Sequence, residues 1–421
     1  MSSALSRIGT ALLAGSLLVA CSDQNRVVEP HPLRVSLDLS RGVAEATTPP
    51  TSVRWNEIAR SLVASHNTNG PSASRVYALV SMAQLDALVA PHDDHHDEDN
   101  DARAHARPST RAAIAKASFV VLGNLYADAA TATLLAEQLA LDEGPQAGHD
   151  RDVAAGDSIG NAAGLTVNAR AATDGAAAAN CPATPPLPAS QFWHDDAVPP
   201  NPQPVLPCFG QVRTWLDLDV TKFRTHPSPP PAFGSAGFLA GLTEVRQISD
   251  TRTPEQLAIV DNWLDGNNTQ QPPGHWNTIA SELITRHRLG EERAAFVLAA
   301  LNVAMMDTHV ACWDRKYTYW EIRPWMVDPA ITTPRGQPHH PANPSGHACA
   351  GGAGSGTLAR FFPAEGDSLV AMGDEEGFST VLSGVHYRFD VDAGLAIGRA
   401  IAAKVLRFRD RDELLALLTA R

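Results

Sequence analysis

The sequence predicts an all-α protein built as a helical bundle. Three observations carry this prediction. Apolar residues recur at spacings of three and four along most of the chain, as in residues 74–87. No stretch alternates apolar and polar residues in the manner of a strand, and no internal repeat is visible. Helices of this kind bury their apolar faces against one another, which is the bundle architecture.

The helical patterns follow one another along the chain, and two other stretches interrupt them. The patterns cover residues 54–64, 74–87, 110–127, 130–141, 151–174, 255–265, 276–288, 291–317, 346–361 and 389–409. Residues 176–235 hold 13 of the 31 prolines, so we expect a long irregular excursion on the surface. Residues 92–101 form a His/Asp-rich run, for which a solvated loop is favoured over a divalent-ion site.

The composition excludes some classes of partner. Of the 421 residues 44% are apolar and 19% charged, which is typical of a globular protein with a sizeable core. The formal net charge is −13, which argues against nucleic acid or an anionic membrane surface as the main partner. An anionic substrate would therefore need a local basic pocket.

The first residues predict export. Arg7 precedes a short apolar stretch at residues 8–20, which is typical of a secretory signal and too short for a permanent membrane helix. Residues 18–21, Leu-Val-Ala-Cys, resemble a bacterial lipobox, which implies cleavage before Cys21 and a lipid on its sulfur. An ordinary signal peptide is the alternative. We expect a signal peptide at 1–20, a flexible tether at 21–50, and a periplasmic or cell-envelope protein that meets the membrane only through its lipid anchor.

Four further cysteines remain in a chain expected in an oxidising compartment. Such a count suggests disulfides, and four cysteines allow three pairings. We favour Cys181–Cys208, which would close a proline-rich loop, and Cys312–Cys349, which would join two of the motifs described next. Free buried thiols are the alternative.

The first motif is a pair of cations before a proline. Lys316 and Arg323 are seven residues apart, two turns of a helix, so both can point from one helix face at one anion. Pro324 is expected to end that helix beside the arginine. Taken alone, this pattern is better explained by a solvated basic face.

The second motif is Pro-Ser-Gly-His at residues 344–347. Ser345 is suited to cap a new helix, whose free N–H groups and dipole favour an anion. Gly346 lets the backbone approach a ligand closely, and His347 is placed to exchange a proton. Capping without chemistry is the alternative. The glycine-rich residues 351–356 lack the lysine of a nucleotide loop and predict close helix packing.

The third motif pairs His386 with Asp390. Four residues separate them, so on a helix the carboxylate can accept a hydrogen bond from one imidazole nitrogen. That bond fixes the tautomer and leaves the other nitrogen free as a nucleophile or a ligand. A purely structural pair is the alternative.

In this order within 75 residues, the three motifs resemble those of the type 2 phosphatidic acid phosphatase and vanadium haloperoxidase superfamily. Residues 75–87, 273–277 and 311–320 resemble its haloperoxidase-related bacterial branch. The resemblance spans residues 51–410, with 176–235 matched loosely. It implies a single helical catalytic domain at 51–421 of the acid phosphatase and vanadium haloperoxidase type.

The resemblance also implies a role for each motif residue. His386 would attack phosphorus or coordinate vanadium, His347 would act as general acid and base, and Asp390 would orient His386. The oxyanion would be held by Lys316, Arg323, the Ser345 hydroxyl and the Gly346 N–H.

One residue departs from the superfamily pattern. Six residues before the histidine, where relatives usually carry an arginine, this chain has Thr380. Arg388 is near in sequence but is expected to face away. Losing a charge-assisted contact to the oxyanion weakens binding by ~1.5–3 kcal/mol.

Two reaction classes fit these residues. A phosphatase would hydrolyse a small phosphoester through a phosphohistidine and needs no cofactor, whereas a haloperoxidase would hold vanadate and use halide and hydrogen peroxide. The absent arginine and the short spacing between motifs favour the phosphatase, and the upstream segments favour the haloperoxidase. A lipoprotein that binds an oxyanion without turnover is a third possibility.

Overall fold

The computed structural model describes residues 49–88, 107–144, 151–195, 204–408 and 413–414 of the chain. The predictions for the signal peptide, for Cys21, for the tether up to residue 48 and for the His/Asp-rich run at 92–101 lie outside the described residues.

The described residues form an all-α fold, as the sequence predicts. One pair of two-residue parallel strands, β1 Arg107–Pro108 and β2 Arg151–Asp152, accompanies the helices. The helices are α1 Thr51–Ser65, α2 Gly70–Asp86, α3 Thr110–Leu125, α4 Ala129–Glu143, α5 Val153–Ala172, α6 Ala236–Thr251, α7 Pro254–Asn262, α8 Gln271–Arg286, α9 Glu291–Tyr319, α10 Pro324–Val327, α11 Gly346–Phe361, α12 Gly366–Leu382 and α13 Arg388–Val405.

Helix α9 forms the centre of the core and packs against α2, α11 and α13. In the described part of the chain it is the one helix long and apolar enough to cross a membrane. However, 94% of its apolar window is buried inside the protein, which identifies α9 as a core helix.

Glycines allow α11 to lie very close to its neighbours. A Cβ on Gly352 would lie 2.5 Å from the carbonyl oxygen of Leu395 in α13, and one on Gly354 would lie 2.3 Å from the Trp276 ring in α8. Any side chain there would push the helices apart. The glycine run thus packs helices closely, as predicted, and it holds the start of α11 beside the start of α13.

The excursion at 176–235 is irregular, as predicted, but it does not lie only on the surface. Its Trp215 side chain is almost fully buried, and the backbone N–H groups of Trp215 and Leu216 donate to Asp307 of α9 at 2.7 and 2.8 Å. Arg315 of α9 donates to the Phe223 carbonyl at 2.8 Å. Polar side chains of the central helix therefore satisfy the backbone of this segment, which lets it enter the core.

Both favoured cysteine pairs are bonded in the structure. Cys181–Cys208 closes a loop inside the excursion, with Cα atoms 5.7 Å apart. Cys312–Cys349 joins α9 to α11, with Cα atoms 6.9 Å apart. Cys312 lies four residues before Lys316, and Cys349 lies two residues after His347. The second disulfide therefore links the helices that carry Lys316 and His347.

Candidate active site

A cavity of about 380 Å³ is lined by residues of the second and third motifs, and Arg323 of the first motif lies behind its wall, in contact with His386. Its inner end is lined by Gly346 and His347 at the start of α11, Thr380 near the end of α12, and Val385 and His386 just before α13. Its outer part lies between α9 and the loops at 263–267 and 335–340.

His386 and Asp390 form the predicted pair, but not on one helix face. His386 precedes α13, and Asp390 is the third residue of that helix. The carboxylate folds back over the helix start, where one oxygen accepts the backbone N–H of Tyr387 and Nδ1–H of His386, each at 3.0 Å. The other oxygen accepts from Asn343 Nδ2 at 2.9 Å. A cap at the helix start, rather than helical spacing, therefore fixes the imidazole.

The second nitrogen of His386 faces a cation. Arg323 Nη1 lies 2.9 Å from His386 Nε2. Because a guanidinium can only donate, Nε2 offers its lone pair and Nδ1 carries the proton. Burial, together with the charges of Arg323 and Lys316, lowers the pKa of His386 well below 6.5. The ring is thus a neutral imidazole at pH 7, the state that a nucleophile or a ligand requires.

Arg323 lies in an extended segment beside His386 and not on the helix that carries Lys316, contrary to the prediction. Helix α9 ends at Tyr319, because Trp320 adopts a left-handed backbone conformation with φ 51°. Arg323 is extended and precedes α10, so it shares no helix face with Lys316. Its guanidinium donates to the Val385 carbonyl at 2.7 Å and to the His340 carbonyl at 2.9 Å. Burial lowers its pKa to about 9, which leaves it cationic at pH 7.

Lys316 lies in the same corner but does not line the cavity. Its Nζ donates to the carbonyls of Pro341 and Ala342, each at 2.9 Å, and to that of Pro344. The side chain is fully buried, and burial lowers its pKa well below 10.5. To bind an oxyanion, the ammonium would have to exchange a carbonyl partner for it. Arg323 and Ser345 are also fully buried, directly behind the inner wall.

The start of α11 has the predicted cap. Ser345 Oγ accepts from the backbone N–H of Ala348 at 3.3 Å. Gly346 is the first helical residue, so its N–H lacks a partner within the helix. Ser345 Oγ also lies 3.3 Å from Thr380 Oγ1. Thr380 therefore stands beside the capping serine, on the cavity wall.

Arg388 does not replace the arginine absent at position 380. It pairs with Glu244 of α6, with Nε 2.7 Å from Oε1, and its guanidinium lies over the Phe378 ring. Among the described residues, Arg323 is therefore the one guanidinium that contacts His386.

His347 lies against the loop that follows α7. Its Nε2 lies 3.1 Å from the Leu264 carbonyl. A carbonyl can only accept, so Nε2 carries a proton and Nδ1 is the nitrogen left to exchange one. Burial lowers the pKa of His347 below 6.5, and this effect is opposed by the Leu264 carbonyl and the charge of Asp265.

Three further histidines line the cavity, namely His309, His339 and His340. Nδ1 of His340 lies 3.0 Å from Arg323 Nη2. His309 lines the cavity one helical turn before Trp313. Asp307, two residues before His309, instead accepts from the backbone of the excursion. The sequence signal for His340 is its position in a proline-rich stretch just before the second motif.

The comparisons with known proteins agree with this geometry. The family model of the PAP2 superfamily matches residues 293–413, the stretch that holds all three motifs. A bacterial vanadium-dependent iodoperoxidase structure superposes with a TM-score of 0.72 at 20% identity, covering 86% of this chain and 97% of the other. Apo and holo structures of a bacterial vanadium-dependent chloroperoxidase give TM-scores of 0.62 and 0.61 at 14% and 15% identity, covering 84% of this chain and 94% of theirs. No curated protein matches the chain.

Residues 293–413 match the PAP2 superfamily, and the fold of the described residues is that of the vanadium-dependent haloperoxidases, which supports the superfamily resemblance that the sequence motifs predicted. Members of this superfamily are phosphatases or haloperoxidases.

Proposed function

We propose that this protein is a phosphatase that hydrolyses phosphate monoesters through a phosphohistidine on His386. The observation that carries the proposal is that, among the described residues, Arg323 is the one guanidinium in contact with His386. Thr380 occupies the wall beside Ser345, and Arg388 is paired with Glu244. A phosphatase holds its oxyanion only during turnover, so it tolerates the loss of one cation better than an enzyme that must retain vanadate.

In the first step His386 Nε2 attacks phosphorus, and the bond from phosphorus to the alcohol oxygen breaks. Asp390 holds the proton on Nδ1, so Nε2 carries the lone pair. That lone pair accepts from Arg323 Nη1 in this structure, so it would attack once the guanidinium donates to the oxygens of the substrate instead. The leaving oxygen takes a proton from Nδ1 of His347 in its protonated, imidazolium form, since Nε2–H of that ring is engaged by the Leu264 carbonyl.

In the second step water attacks phosphorus and gives a proton to His347. The bond from phosphorus to nitrogen breaks, phosphate leaves, and His386 returns to its neutral form. Arg323 and the N–H groups at the start of α11 would stabilise the charge on the transferred group, with Lys316 behind them.

A vanadium-dependent haloperoxidase is the second candidate. It is favoured by the superposition on the iodoperoxidase over 97% of that chain. The residues present fit vanadate, because the Nε2 lone pair of His386 is oriented by Asp390 and donors surround it. His386 would be the ligand, with Arg323, Ser345, Gly346 and Lys316 as donors. When bound, vanadate would supply Lewis-acid activation of hydrogen peroxide for halide oxidation.

A paired assay on one preparation tests the proposal. Hydrolysis of 4-nitrophenyl phosphate is measured beside bromide and iodide oxidation with added vanadate and peroxide. We expect hydrolysis, and a phosphorylated protein that is acid-labile and absent in His386→Ala. Halide oxidation without hydrolysis would establish the second candidate. If the protein binds phosphate but catalyses neither reaction, that result would support the third possibility, a lipoprotein that binds an oxyanion without turnover.

We further propose that the protein is exported and held at the membrane by a lipid on Cys21. The lipobox-like residues 18–21 support this proposal. Mass spectrometry of the purified N-terminus, compared with a Cys21→Ala variant, tests it.

A further inference from the structure

Arg315 is a fully buried cation that the proposed reaction does not use. It directly precedes Lys316 on α9. Within the described part of the chain, each hydrogen bond of its guanidinium goes to a neutral oxygen and none to a carboxylate. Burying a cation without a paired anion costs free energy, so its hydrogen bonds point to a role other than stability.

The guanidinium divides its donors between two parts of the molecule. Nη1 and Nη2 donate to carbonyls of the excursion, those of Phe223 at 2.8 Å, Pro227 at 2.9 Å and Ser228 at 2.7 Å. Nε instead donates to Asn343 Oδ1 at 2.8 Å. Because the guanidinium is planar and its N–H groups have fixed directions, the excursion that holds Nη1 and Nη2 also sets the direction of Nε–H.

Asn343 connects this contact to Asp390. Its side chain is fully buried, and its Nδ2 donates to Asp390 Oδ1 at 2.9 Å. A guanidinium can only donate and an ionised carboxylate can only accept, so Arg315 and Asp390 require the same orientation of the amide. The amide is thus held from both ends, between a cation and an anion, and such chains of hydrogen bonds strengthen one another.

Asp390 is the last link to the catalytic ring. Its Oδ2 accepts Nδ1–H of His386 at 3.0 Å, whereas Asn343 is the one donor to its Oδ1 among the described residues. With both oxygens held, the carboxylate is hindered from turning about its Cβ–Cγ bond, and the plane of the His386 ring is fixed with it. Without the amide, Oδ1 would be a buried acceptor lacking a donor, and the carboxylate would gain a reason to turn.

We propose that Arg315 and Asn343 are positioning residues, which use the excursion as an anchor to hold Asp390 and, through it, the direction of His386 Nε2. The inference rests on the proposed function for the reaction at His386. The direction of Nε2 can nevertheless be measured by equilibrium binding, without turnover.

The affinities for vanadate and phosphate, measured by calorimetry on the full-length protein, report on this direction. Vanadium can accept the lone pair of Nε2 once Arg323 donates to the oxygens, whereas phosphate at equilibrium is held by hydrogen bonds and charge alone. The wild type should therefore bind vanadate more tightly than phosphate. Equal affinities would mean that Nε2 is not presented to the oxyanion, and the proposal would fail.

Asn343→Leu tests the link to Asp390. Leucine has a similar volume and no charge, so both hydrogen bonds are lost while no charge is added near the oxyanion. We expect vanadate affinity to fall about ten- to a hundredfold and phosphate affinity to stay nearly unchanged. The kcat for 4-nitrophenyl phosphate should fall with little change in KM. A vanadate-to-phosphate affinity ratio equal to that of the wild type would overturn the proposal.

Arg315→Lys tests the link to the excursion, and it decides the question if Asn343→Leu does not fold. Lysine keeps the positive charge, but its single ammonium lacks the planar fork that holds the excursion and Asn343 together. Because the bond from Asn343 to Asp390 remains, the affinity ratio should fall several-fold, less than in Asn343→Leu. An unchanged ratio in folded Arg315→Lys would show that Arg315 only supports the excursion, and would refute its role in positioning His386.

Asn302→Leu is the matched control. Asn302 is also a fully buried asparagine, on α9, with Nδ2 2.8 Å from Ser81 Oγ and Oδ1 2.7 Å from Asn277 Nδ2, and it is not among the described residues that line the cavity. This variant should lower the melting temperature and leave the affinity ratio and kcat as in the wild type. A fall of the ratio as large as in Asn343→Leu would indicate general loosening of the core and reject the proposal.

The two proposals fail separately. If the wild type hydrolyses no phosphate ester but the affinity ratio falls in Asn343→Leu, the phosphatase is rejected and the positioning role stands. If the wild type hydrolyses the ester and the ratio is unchanged in Asn343→Leu, the positioning role is rejected and the phosphatase stands.

Discussion

Thr380 Oγ1 lies 3.3 Å from Ser345 Oγ at the inner end of the cavity. A side chain at position 380 therefore points to the corner where the oxyanion is expected, six residues before His386. The hydroxyl of Thr380 is engaged locally, because it donates to the Gly377 carbonyl at 2.7 Å. This position is consequently the natural place to alter the charge of the corner.

Thr380→Arg should tighten binding of vanadate and phosphate by about tenfold, equivalent to ~1.4 kcal/mol. The reason is that a guanidinium adds a permanently charged fork that can bond two oxygens. The measurement is vanadate inhibition of 4-nitrophenyl phosphate hydrolysis, together with bromide oxidation in the presence of peroxide.

Thr380→Met is the matched control, since it adds length without charge. Vanadate affinity should be unchanged or weaker in this variant. If Thr380→Arg folds normally and vanadate affinity still does not rise, the missing arginine does not limit oxyanion binding. The main reason for preferring a phosphatase would then be lost.

His386→Ala should abolish turnover, whereas Lys316→Met should leave a measurable rate. The histidine forms the covalent bond, while the lysine is one of several oxyanion donors, each typically worth ~10²–10³ in rate. Lys316→Met should also lower the melting temperature, because the carbonyls of Ala342 and Pro344 lose their donor.

Thermal melting and single-turnover kinetics on both variants check this pair of expectations. The melting temperature of His386→Ala should be close to that of the wild type, lowered only by the loss of the contacts to Asp390 and Arg323. Equal modest rate losses in the two variants would instead indicate a site that binds but does not react.

Much of the fold follows from helical periodicity, and the exceptions have physical causes. The pattern at 346–361 predicts α11 with the bounds observed. Helix α6 was missed because it directly follows the proline-rich excursion, although Ser235 caps it and Phe238 and Val245 form its buried face. Helix α12 was missed because glycines and acidic residues interrupt its apolar pattern. Its buried face consists largely of small side chains that fit against α11.

The motifs predicted which residues gather at the site, but not how they reach it. Helical spacing suggested one face for Lys316 and Arg323, whereas Trp320 ends the helix between them. The carbonyls that surround Lys316 come from residues 25 to 28 positions later in the chain, and no local pattern reveals them. The same holds for His340, whose contact with Arg323 depends on the folding of a proline-rich loop.

The dependence of hydrolysis on pH should reveal His347 as the general acid. Burial lowers the pKa of His347 below 6.5, so its protonated fraction falls as pH rises from the acidic side. Butyl phosphate needs a proton on its leaving oxygen, and 4-nitrophenyl phosphate hardly does. The ratio of kcat/KM for butyl to nitrophenyl phosphate should therefore fall with rising pH.

The nitrophenyl ester loses its second phosphate proton at lower pH than the butyl ester, because the nitrophenyl group withdraws electrons. Each kcat/KM is therefore referred to the same ionic form of its substrate before the ratio is taken. His347→Gln should flatten the ratio and reduce butyl phosphate hydrolysis more than that of the nitrophenyl ester. If the ratio stays constant with pH in the wild type, a group other than His347 donates the proton to the leaving oxygen.

The two disulfides should differ in their effect on activity though not in their effect on stability. Their sequence separations are 37 and 27 residues, so loop-closure entropy predicts a similar loss of about 3.5–4 kcal/mol when either is removed. Only the bond between Cys312 and Cys349 joins the helices that carry Lys316 and His347. Without it, α9 and the start of α11 can shift relative to each other near the oxyanion corner.

The double variant Cys312→Ala/Cys349→Ala should therefore lower both the melting temperature and kcat, while Cys181→Ala/Cys208→Ala should lower mainly the melting temperature. Activities are compared well below both melting temperatures, so that unfolding does not contribute. Small misplacements of catalytic groups can cost about a hundredfold in rate, which makes kcat a sensitive readout of this bond. If both variants keep the wild-type kcat, close glycine packing between α11 and α13 alone is sufficient to position His347.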